Sequence, residues 1–354
     1  MTKTSNRTAI PPATKNNFIL SKFAVAAVIY AGFAFYLYCP HLGKNLHTIL
    51  QLRNLFIINA CLASLGCFAL SRRWVASFCG SLFAGAIYGF GPFMITLAGY
   101  HPAAGFLALT IPWLFCPAAF GTRAGWKWLN WLASALPFLA IMLFFEASAH
   151  WRLFAVPVHA KLHLTDINGL VVPLVTAGRS LIFAGFYHVP IAPLIMGFSM
   201  LLAARRLGII IIFCSGAILA FCGPLFNISP IIWLAIPVLC CSIFIGAGIQ
   251  GFACAGPADR KWILAIALIM AAFSLIAFFM SLRCENAFGE LASEYTGLFA
   301  ETARIYLLGA AATAAIYLII RANLRLGWLR LAILCLAIGA DVFFSARFIV
   351  DKVF

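Results

Sequence analysis

Long apolar runs separated by short polar connections dominate the hydrophobic pattern of this chain. Most runs are close to the roughly 20 residues that an α-helix needs to cross the hydrocarbon core of a bilayer. Barrel strands would be about half as long and would alternate apolar with polar positions. We therefore place helical membrane spans at residues 18–39, 54–71, 74–98, 102–120, 128–146, 188–204, 208–224, 229–251, 262–282, 304–321 and 327–346.

The stretch from Ser81 to Phe115 contains two of these apolar runs, which meet at a short polar sequence, Gly99–Pro102. Neither run contains Lys, Arg, Asp or Glu. In lipid this pattern predicts a helix, a tight turn and a returning helix, because backbone polar groups must be satisfied inside each element. Pro and Gly interrupt several runs, as at Gly91-Pro92, and membrane helices tolerate such breaks where neighbouring helices satisfy the backbone.

The composition agrees with this interpretation. The chain has 354 residues, of which 64% are hydrophobic and 9% charged, with a mean hydropathy of +1.04. A soluble domain carries about 25% charged residues. The predicted fold is an all-α, polytopic transmembrane bundle of about 11 spans. It forms one membrane domain, 18–354, after a disordered cytoplasmic tail, 1–17. The predicted location is a cell membrane, in particular a bacterial inner membrane.

The charge pattern predicts the orientation of the bundle. The formal net charge of +15 does not indicate nucleic acid, because the basic residues lie singly or in pairs between apolar runs. With 11 spans, one set of connections holds 15 of the 24 basic residues and a single acid, Asp259. The other set holds nine basic residues and eight acids. The positive-inside rule then places the N-terminus in the cytoplasm and the C-terminus outside.

Two long segments, about 147–187 and 283–303, fall on the predicted outer side, where all seven histidines also lie. In the second segment Glu290, Glu294 and Glu301 share one face of an amphipathic helix. This face is either a solvated surface or a stripe that receives a substrate, an ion or a neighbouring arginine. If the protein has a site of titratable chemistry, we expect it on this outer side.

The sequence HAKLHLTD in the first outer segment places His159, His163 and Asp166 at positions i, i+4 and i+7. On a helix these side chains share one face and have the ligand types that zinc or iron binds. The alternative is a surface cluster that forms hydrogen bonds with lipid headgroups or with the loop backbone. Both interpretations stay open.

Asp341 lies inside the last apolar run, 14 residues after Gly327, which is about 21 Å along a helix. An acid in the middle of a membrane helix costs about 2.5–3.5 kcal/mol and marks a functional or paired site by default. Asp341 therefore either pairs with another group, such as Arg304 or Arg347, or belongs to an ion or proton relay.

The chain has no Walker A motif, and its glycine-rich stretch, 246–256, lies in a span rather than after a strand. The cofactor is therefore left undetermined.

The positions of the helix breaks and the turn in the stretch 81–115 resemble those of GT-C-type membrane glycosyltransferases and their non-catalytic relatives. In that family an early span ends in a Gly-Pro or Ser-Pro break, a histidine-containing outer turn follows, and the next span carries Pro-Trp. The matching residues here are Tyr88, Gly91, Pro92, Phe93, His101, Pro112 and Trp113. The resemblance implies chemistry on a lipid-phosphate sugar donor at the outer face. The catalytic candidates in this chain are His101, which belongs to the matching turn, and the outer acids Asp166 and Glu301.

The first outer loop, Cys39–Asn54, departs from the family, because it lacks the carboxylate that those enzymes use there. Three interpretations stay open. The protein is a non-catalytic relative, or it is an enzyme whose acid comes from Asp166 or from the segment 285–301, or the resemblance arises by chance. The leading hypothesis is action at the outer face on a lipid-linked or envelope-glycan substrate. The alternatives are a transporter or flippase, and a non-catalytic subunit of a membrane complex. The predicted partners are membrane lipids, a lipid-linked substrate or other membrane proteins, and no nucleic acid.

Overall fold

The computed structural model describes residues 12–41, 55–100, 102–121, 127–151, 189–222, 228, 230–288, 292–322, 324 and 326–353. These residues form helices joined by short connections. The α-helices in the described part of the chain are α1 Pro12–Tyr38, α2 Leu55–Ser71, α3 Phe78–Phe90, α4 Pro92–Tyr100, α5 Pro102–Phe120, α6 Lys127–Trp151, α7 Ile191–Ala203, α8 Leu207–Phe221, α9 Pro230–Trp233, α10 Ala235–Cys254, α11 Arg260–Phe288, α12 Ala292–Arg321 and α13 Gly327–Val353.

The predicted apolar runs are helical in the structure, but they differ in length. Among the described residues, eight helical segments are long and apolar enough to cross a membrane, with α3 and α4 counting as one. Three shorter apolar helices, within α2, α7 and α8, occupy the other predicted spans. With 13 and 15 residues, α7 and α8 are about 20 and 22 Å long, less than a 30 Å hydrocarbon core. By length and composition alone, eight of the described segments are therefore candidate membrane crossings.

Helix α10 lies at the centre of the bundle. Every residue from Ala235 to Phe252 is buried except Gln250. The helix packs against α3, α7, α8 and α13, and an apolar helix with no polar face requires such complete burial in protein or lipid. The helices around it turn large apolar side chains outward, as Leu143 of α6 and Leu336 of α13 do. These outward faces are suited to lipid.

Glycines allow α10 to approach its neighbours backbone to backbone. A Cβ atom on Gly248 would meet the carbonyl oxygen of Pro193 in α7, and one on Gly197 of α7 would meet that of Phe244 in α10. On the other side of α10, a Cβ on Gly246 would lie 2.6 Å from the carbonyl oxygen of Gly80 in α3. Small residues at such contacts are the usual means of packing helices tightly in membranes.

The chain breaks at Gly91-Pro92, as the sequence indicates. Gly91 has an extended conformation, with φ −71° and ψ 161°, and Pro92 begins α4, where its missing N–H costs no helical hydrogen bond. The buried Tyr88 hydroxyl donates to the Ala108 carbonyl oxygen over 2.7 Å. This bond fixes α3 against the returning helix α5. The Trp113 indole N–H of α5 donates to the Leu62 carbonyl oxygen of α2 over 3.1 Å.

The arginine-rich connections lie at one end of the bundle, here called the basic end, where polar contacts join them to neighbouring helices. The Gln250 side-chain oxygen in α10 accepts from the Ala76 backbone N–H over 2.8 Å. Arg330 donates to the Ala255 carbonyl oxygen, just past α10, over 2.6 Å. Arg260 donates to the Ile320 carbonyl oxygen near the end of α12 over 3.1 Å. The basic end carries Arg72, Arg73, Arg205, Arg206, Arg260, Lys261, Arg321 and Arg330.

The opposite end, here called the far end, contains the α4–α5 turn, the end of α6, the α11–α12 connection and the end of α13. Here the structure differs from the predicted boundaries. The segment 283–303 does not form a separate surface helix, because α11 continues to Phe288 and α12 is unbroken from Ala292. The Ser274 and Ser281 hydroxyls donate to the Ala303 and Thr296 carbonyl oxygens, which holds α11 and α12 as one antiparallel hairpin.

At the N-terminus, α1 begins at Pro12, so the described residues 12–17 of the predicted disordered tail are helical. Residues 1–11 lie outside the described part of the chain. The long predicted outer segment is represented only by its first residues, 147–151, which extend α6 to Trp151. The rest of that segment, 152–187, lies outside the described residues.

Exposed tryptophans mark the level of the basic end. Trp128 and Trp131 lie in the first turns of α6, Trp262 near the start of α11 and Trp328 near the start of α13, and all four are more than half exposed. Tryptophan is enriched at the headgroup level of membrane proteins, where its apolar ring and its N–H are both satisfied. The basic end therefore lies at a membrane–water interface.

The connection between α7 and α8 holds a strained backbone. Arg205 has a φ of 53°, and the Arg206 and Arg205 N–H groups donate to the Leu201 and Leu202 carbonyl oxygens over 3.0 and 2.9 Å. This is the Schellman arrangement that ends many helices, and its left-handed position is usually a glycine. A residue with a Cβ in this conformation costs about 1–2 kcal/mol. An arginine occupies the position despite that cost.

We expect Gly248→Ala to destabilise the bundle by about 1–3 kcal/mol, which is the usual cost of overpacking a core. The added methyl group would push against the Pro193 carbonyl oxygen, which is backbone and cannot rotate away. The matched control is Gly32→Ala in α1, because no heavy atom lies within 4 Å of the position a Cβ would take there. Thermal unfolding of both variants in detergent should show a lower midpoint for Gly248→Ala alone. Equal midpoints would contradict the close approach of α7 and α10.

Candidate functional site

The acidic residues in the described part of the chain lie at the far end, apart from Asp259. They are Glu146, Glu285, Glu301 and Asp351, with Glu294 on the same helix as Glu301, and Asp341 just past the middle of α13 toward that end. Asp259 lies at the basic end, where its carboxylate accepts the Gly256 backbone N–H over 2.9 Å. Carboxylates that could transfer protons therefore lie mainly at the far end.

Glu301 lies on the far-end half of α12 and pairs with Arg304 one turn later, with an N–O distance of 3.1 Å. The two side chains are 34% and 78% exposed, respectively. Glu294 lies seven residues earlier on the same helix, so its position shares the Glu301 face. An exposed pair of this kind contributes about 0–1 kcal/mol. The contact leaves Glu301 accessible from the surface.

Four candidates from the sequence, and one acid of the proposed stripe, lie outside the described residues. They are His101, His159, His163, Asp166 and Glu290. Within the described part of the chain, no group of three or more His, Cys, Asp or Glu side chains could hold a metal ion. The metal and catalytic hypotheses for these residues stay predictions.

Asp341 lies near the middle of the apolar helix α13 and is half-buried. The Ser345 hydroxyl, one turn later, donates to its carboxylate over 3.4 Å. Asp341 lines a small cavity between the start of α7 and helices α11, α12 and α13. The same cavity is lined by Pro190 and by the polar side chains of Tyr306 and Thr313.

The size of this cavity limits what it can hold. Its volume is about 30 Å³, and a water molecule needs roughly 10–15 Å³ by this measure. The cavity therefore has room for about two water molecules or a small ion, and none for a sugar. In chemical terms it can hold a proton or an ordered water beside Asp341.

Arg304 and Arg347, the two arginines expected beside Asp341, each form a local pair on their own helix in the structure. Arg304 pairs with Glu301, and Arg347 lies 3.7 Å from Asp351. Both pairs join residues three or four positions apart, which are neighbours on a helix surface. Such contacts form within one helix, so neither charged side chain has to reach a neighbouring helix.

Sequence reasoning missed the structural role of several basic-end side chains. It treated Arg260 and Arg330 only as orientation signals, whereas both satisfy backbone carbonyls near helix ends. Gln250, the partly exposed polar residue of α10, accepts two N–H groups before α3. The signal for Gln250 was available, because an amide inside an otherwise apolar span needs a partner.

Comparison of the chain with protein-family models, with curated proteins and with solved structures gave no match. The class of the protein follows from the fold alone: eight apolar helical segments of crossing length define a multi-pass integral membrane protein. Any more specific function has to be argued from the placement of its side chains.

Proposed function

We propose that this protein is a GT-C-like membrane protein that acts at its outer face on a lipid-linked or envelope-glycan substrate. The observation that carries the proposal is the separation of charge between the two ends of the bundle. The arginine-rich connections gather at the basic end, and the described carboxylates other than Asp259 lie at the far end. In this proposal the far end faces outward.

The stretch that resembles the GT-C family supports the proposal through its geometry. The break at Gly91-Pro92, the turn at the far end and the return along α5 form the discontinuous element that the family pattern implies. Tyr88 and Trp113 fasten this element to α5 and α2. Tyr88 and Trp113 thus fix the position of α5, which begins at the far end.

The proposed orientation can be tested with reporter fusions. With eleven crossings and a cytoplasmic N-terminus, a fusion after Arg206 should report the cytoplasm, and a fusion after Glu294 should report the outside. An alkaline phosphatase and a fluorescent-protein reporter at each site would give complementary signals. The same side for both sites would contradict the proposed number of crossings, and an external Arg206 would contradict the orientation.

A transferase needs an acid or base at the far end, so neutral substitutions should abolish turnover. Loss of a general acid or base lowers rates by about 10²–10⁴-fold. We expect this loss in Asp166→Asn or in Glu301→Gln, with normal protein levels. The assay follows transfer of radiolabelled sugar from a polyprenyl-phosphate donor into the glycan fraction of membranes that contain the protein.

Asp351→Asn is the matched control, since Asp351 is an exposed far-end carboxylate paired on its own helix. It should transfer sugar at the wild-type rate. Full activity of both Asp166→Asn and Glu301→Gln would exclude them as the catalytic acid. Absence of transfer by the wild type, with membrane proteins co-purifying in fixed ratio, would support the non-catalytic subunit instead.

The cavity at Asp341 favours a transporter as a second candidate, because its size suits a proton or small ion. In that case Asp341→Asn should remove ion-coupled uptake in proteoliposomes, while Asp351→Asn should retain it. A pH-sensitive dye inside the vesicles would record proton movement. Equal proton fluxes in wild type and Asp341→Asn would exclude a relay through this residue.

A further inference from the structure

A larger cavity lies at the basic end, between the α2–α3 connection, the end of α5, the start of α6 and the α7–α8 connection. Its volume is about 410 Å³, within the range of about 300–1,000 Å³ that is usual for small-molecule sites. The first turns of α8 and part of the central helix α10 also line it.

The rim of this cavity is cationic. Arg73, Arg205 and Arg206 line it, and all three are exposed rather than packed into the protein. Among the described residues, none of the side chains that line the cavity is acidic. Asn130 and Ser134 of α6 add polar groups to the rim. Arginine guanidinium groups bind phosphate through paired, charge-assisted hydrogen bonds.

The inner wall of the same cavity is apolar. It consists of Phe115 from α5, Ile209 and Ile212 from α8, and Leu239 and Ile243 from the central helix α10. A site with a cationic rim and an apolar wall fits a molecule that is anionic at one end and hydrocarbon at the other. A soluble anion would leave the apolar wall exposed to water.

The depth of the cavity indicates where such a molecule comes from. Trp131, one of the exposed tryptophans that mark the headgroup level, lines the cavity together with Trp74. At this level a phospholipid presents its phosphate to the arginines and its upper acyl chain to the apolar wall. Anionic lipids are attracted to basic clusters at this interface.

The backbone at Arg205 adds an independent observation. A glycine would relieve the left-handed strain at this position, yet the chain carries there an arginine whose side chain lines the cavity. The first turn of α8, which follows directly, has no side-chain cap on its N–H groups. Its positive end adds to the field of the arginines without constituting a site by itself.

We propose that this cavity binds the phosphate headgroup and upper acyl chain of an anionic membrane phospholipid. The arginines at 73, 205 and 206 hold the phosphate, and the walls from α5, α8 and α10 hold the hydrocarbon. The proposal is independent of the chemistry proposed for the far end, because none of its residues lies there.

Native mass spectrometry of the full chain, titrated with phosphatidylglycerol or with phosphatidylcholine, tests the proposal. The wild type should bind one phosphatidylglycerol at least 10-fold more tightly than phosphatidylcholine. Arg205→Gly should lower that affinity at least 10-fold while its thermal midpoint stays equal or rises, because glycine relieves the strained φ. A purely structural arginine would not give weaker binding together with equal or higher stability.

Arg321→Gln is the matched control, since Arg321 is an exposed arginine of the basic end that does not line the cavity. It should bind phosphatidylglycerol as the wild type does. Three results would overturn the proposal: unchanged binding in Arg205→Gly, an equal loss in Arg321→Gln, or displacement of the lipid by millimolar inorganic phosphate. The last result would indicate a site for a soluble anion.

Discussion

The close approach of α10 to its neighbours is the constraint on which the rest of the bundle depends. In lipid the hydrophobic effect does not drive helices together, so association relies on van der Waals contact and interhelical hydrogen bonds. Glycines at 246 and 248 let α10 meet α3 and α7 backbone to backbone. This contact buries an apolar helix on all sides and leaves the surrounding helices to face lipid.

Once α10 is fixed, the two ends of the bundle acquire different chemistry. At the basic end, arginines satisfy carbonyls near helix ends, as Arg330 does for Ala255 and Leu324. The arginines at 205 and 206 lie instead on the rim of the amphipathic cavity. On the other side of the bundle, Glu301 pairs with Arg304 on the surface of α12, and Asp341 lines the small cavity beside α13. Different arginines of the connections thus satisfy carbonyls or line the cavity.

The apolar pattern predicted the helices well because each run carries its own signal. The break at Gly91-Pro92 was also predictable, since both residues act on their local backbone. The unbroken helix through Glu294 and Glu301 was not, because the polar stripe resembles a surface helix until its packing against α11 is known. Cavities depend on contacts between residues far apart in sequence. For this reason the sequence indicated only a role in membrane orientation for the arginine pair at 205 and 206. It could not predict the cavity beside Asp341.

The central claim is that α10 is enclosed by protein, and lipid-borne photolabelling measures this most directly. Nanodiscs made with phospholipids that carry a diazirine in the acyl chain would label side chains that touch lipid, with adducts mapped by mass spectrometry. Adducts are expected on outward residues such as Leu143, Leu275 and Leu336, and none between Val238 and Phe252. Labelling of that α10 segment at the level seen in α11 would contradict the account.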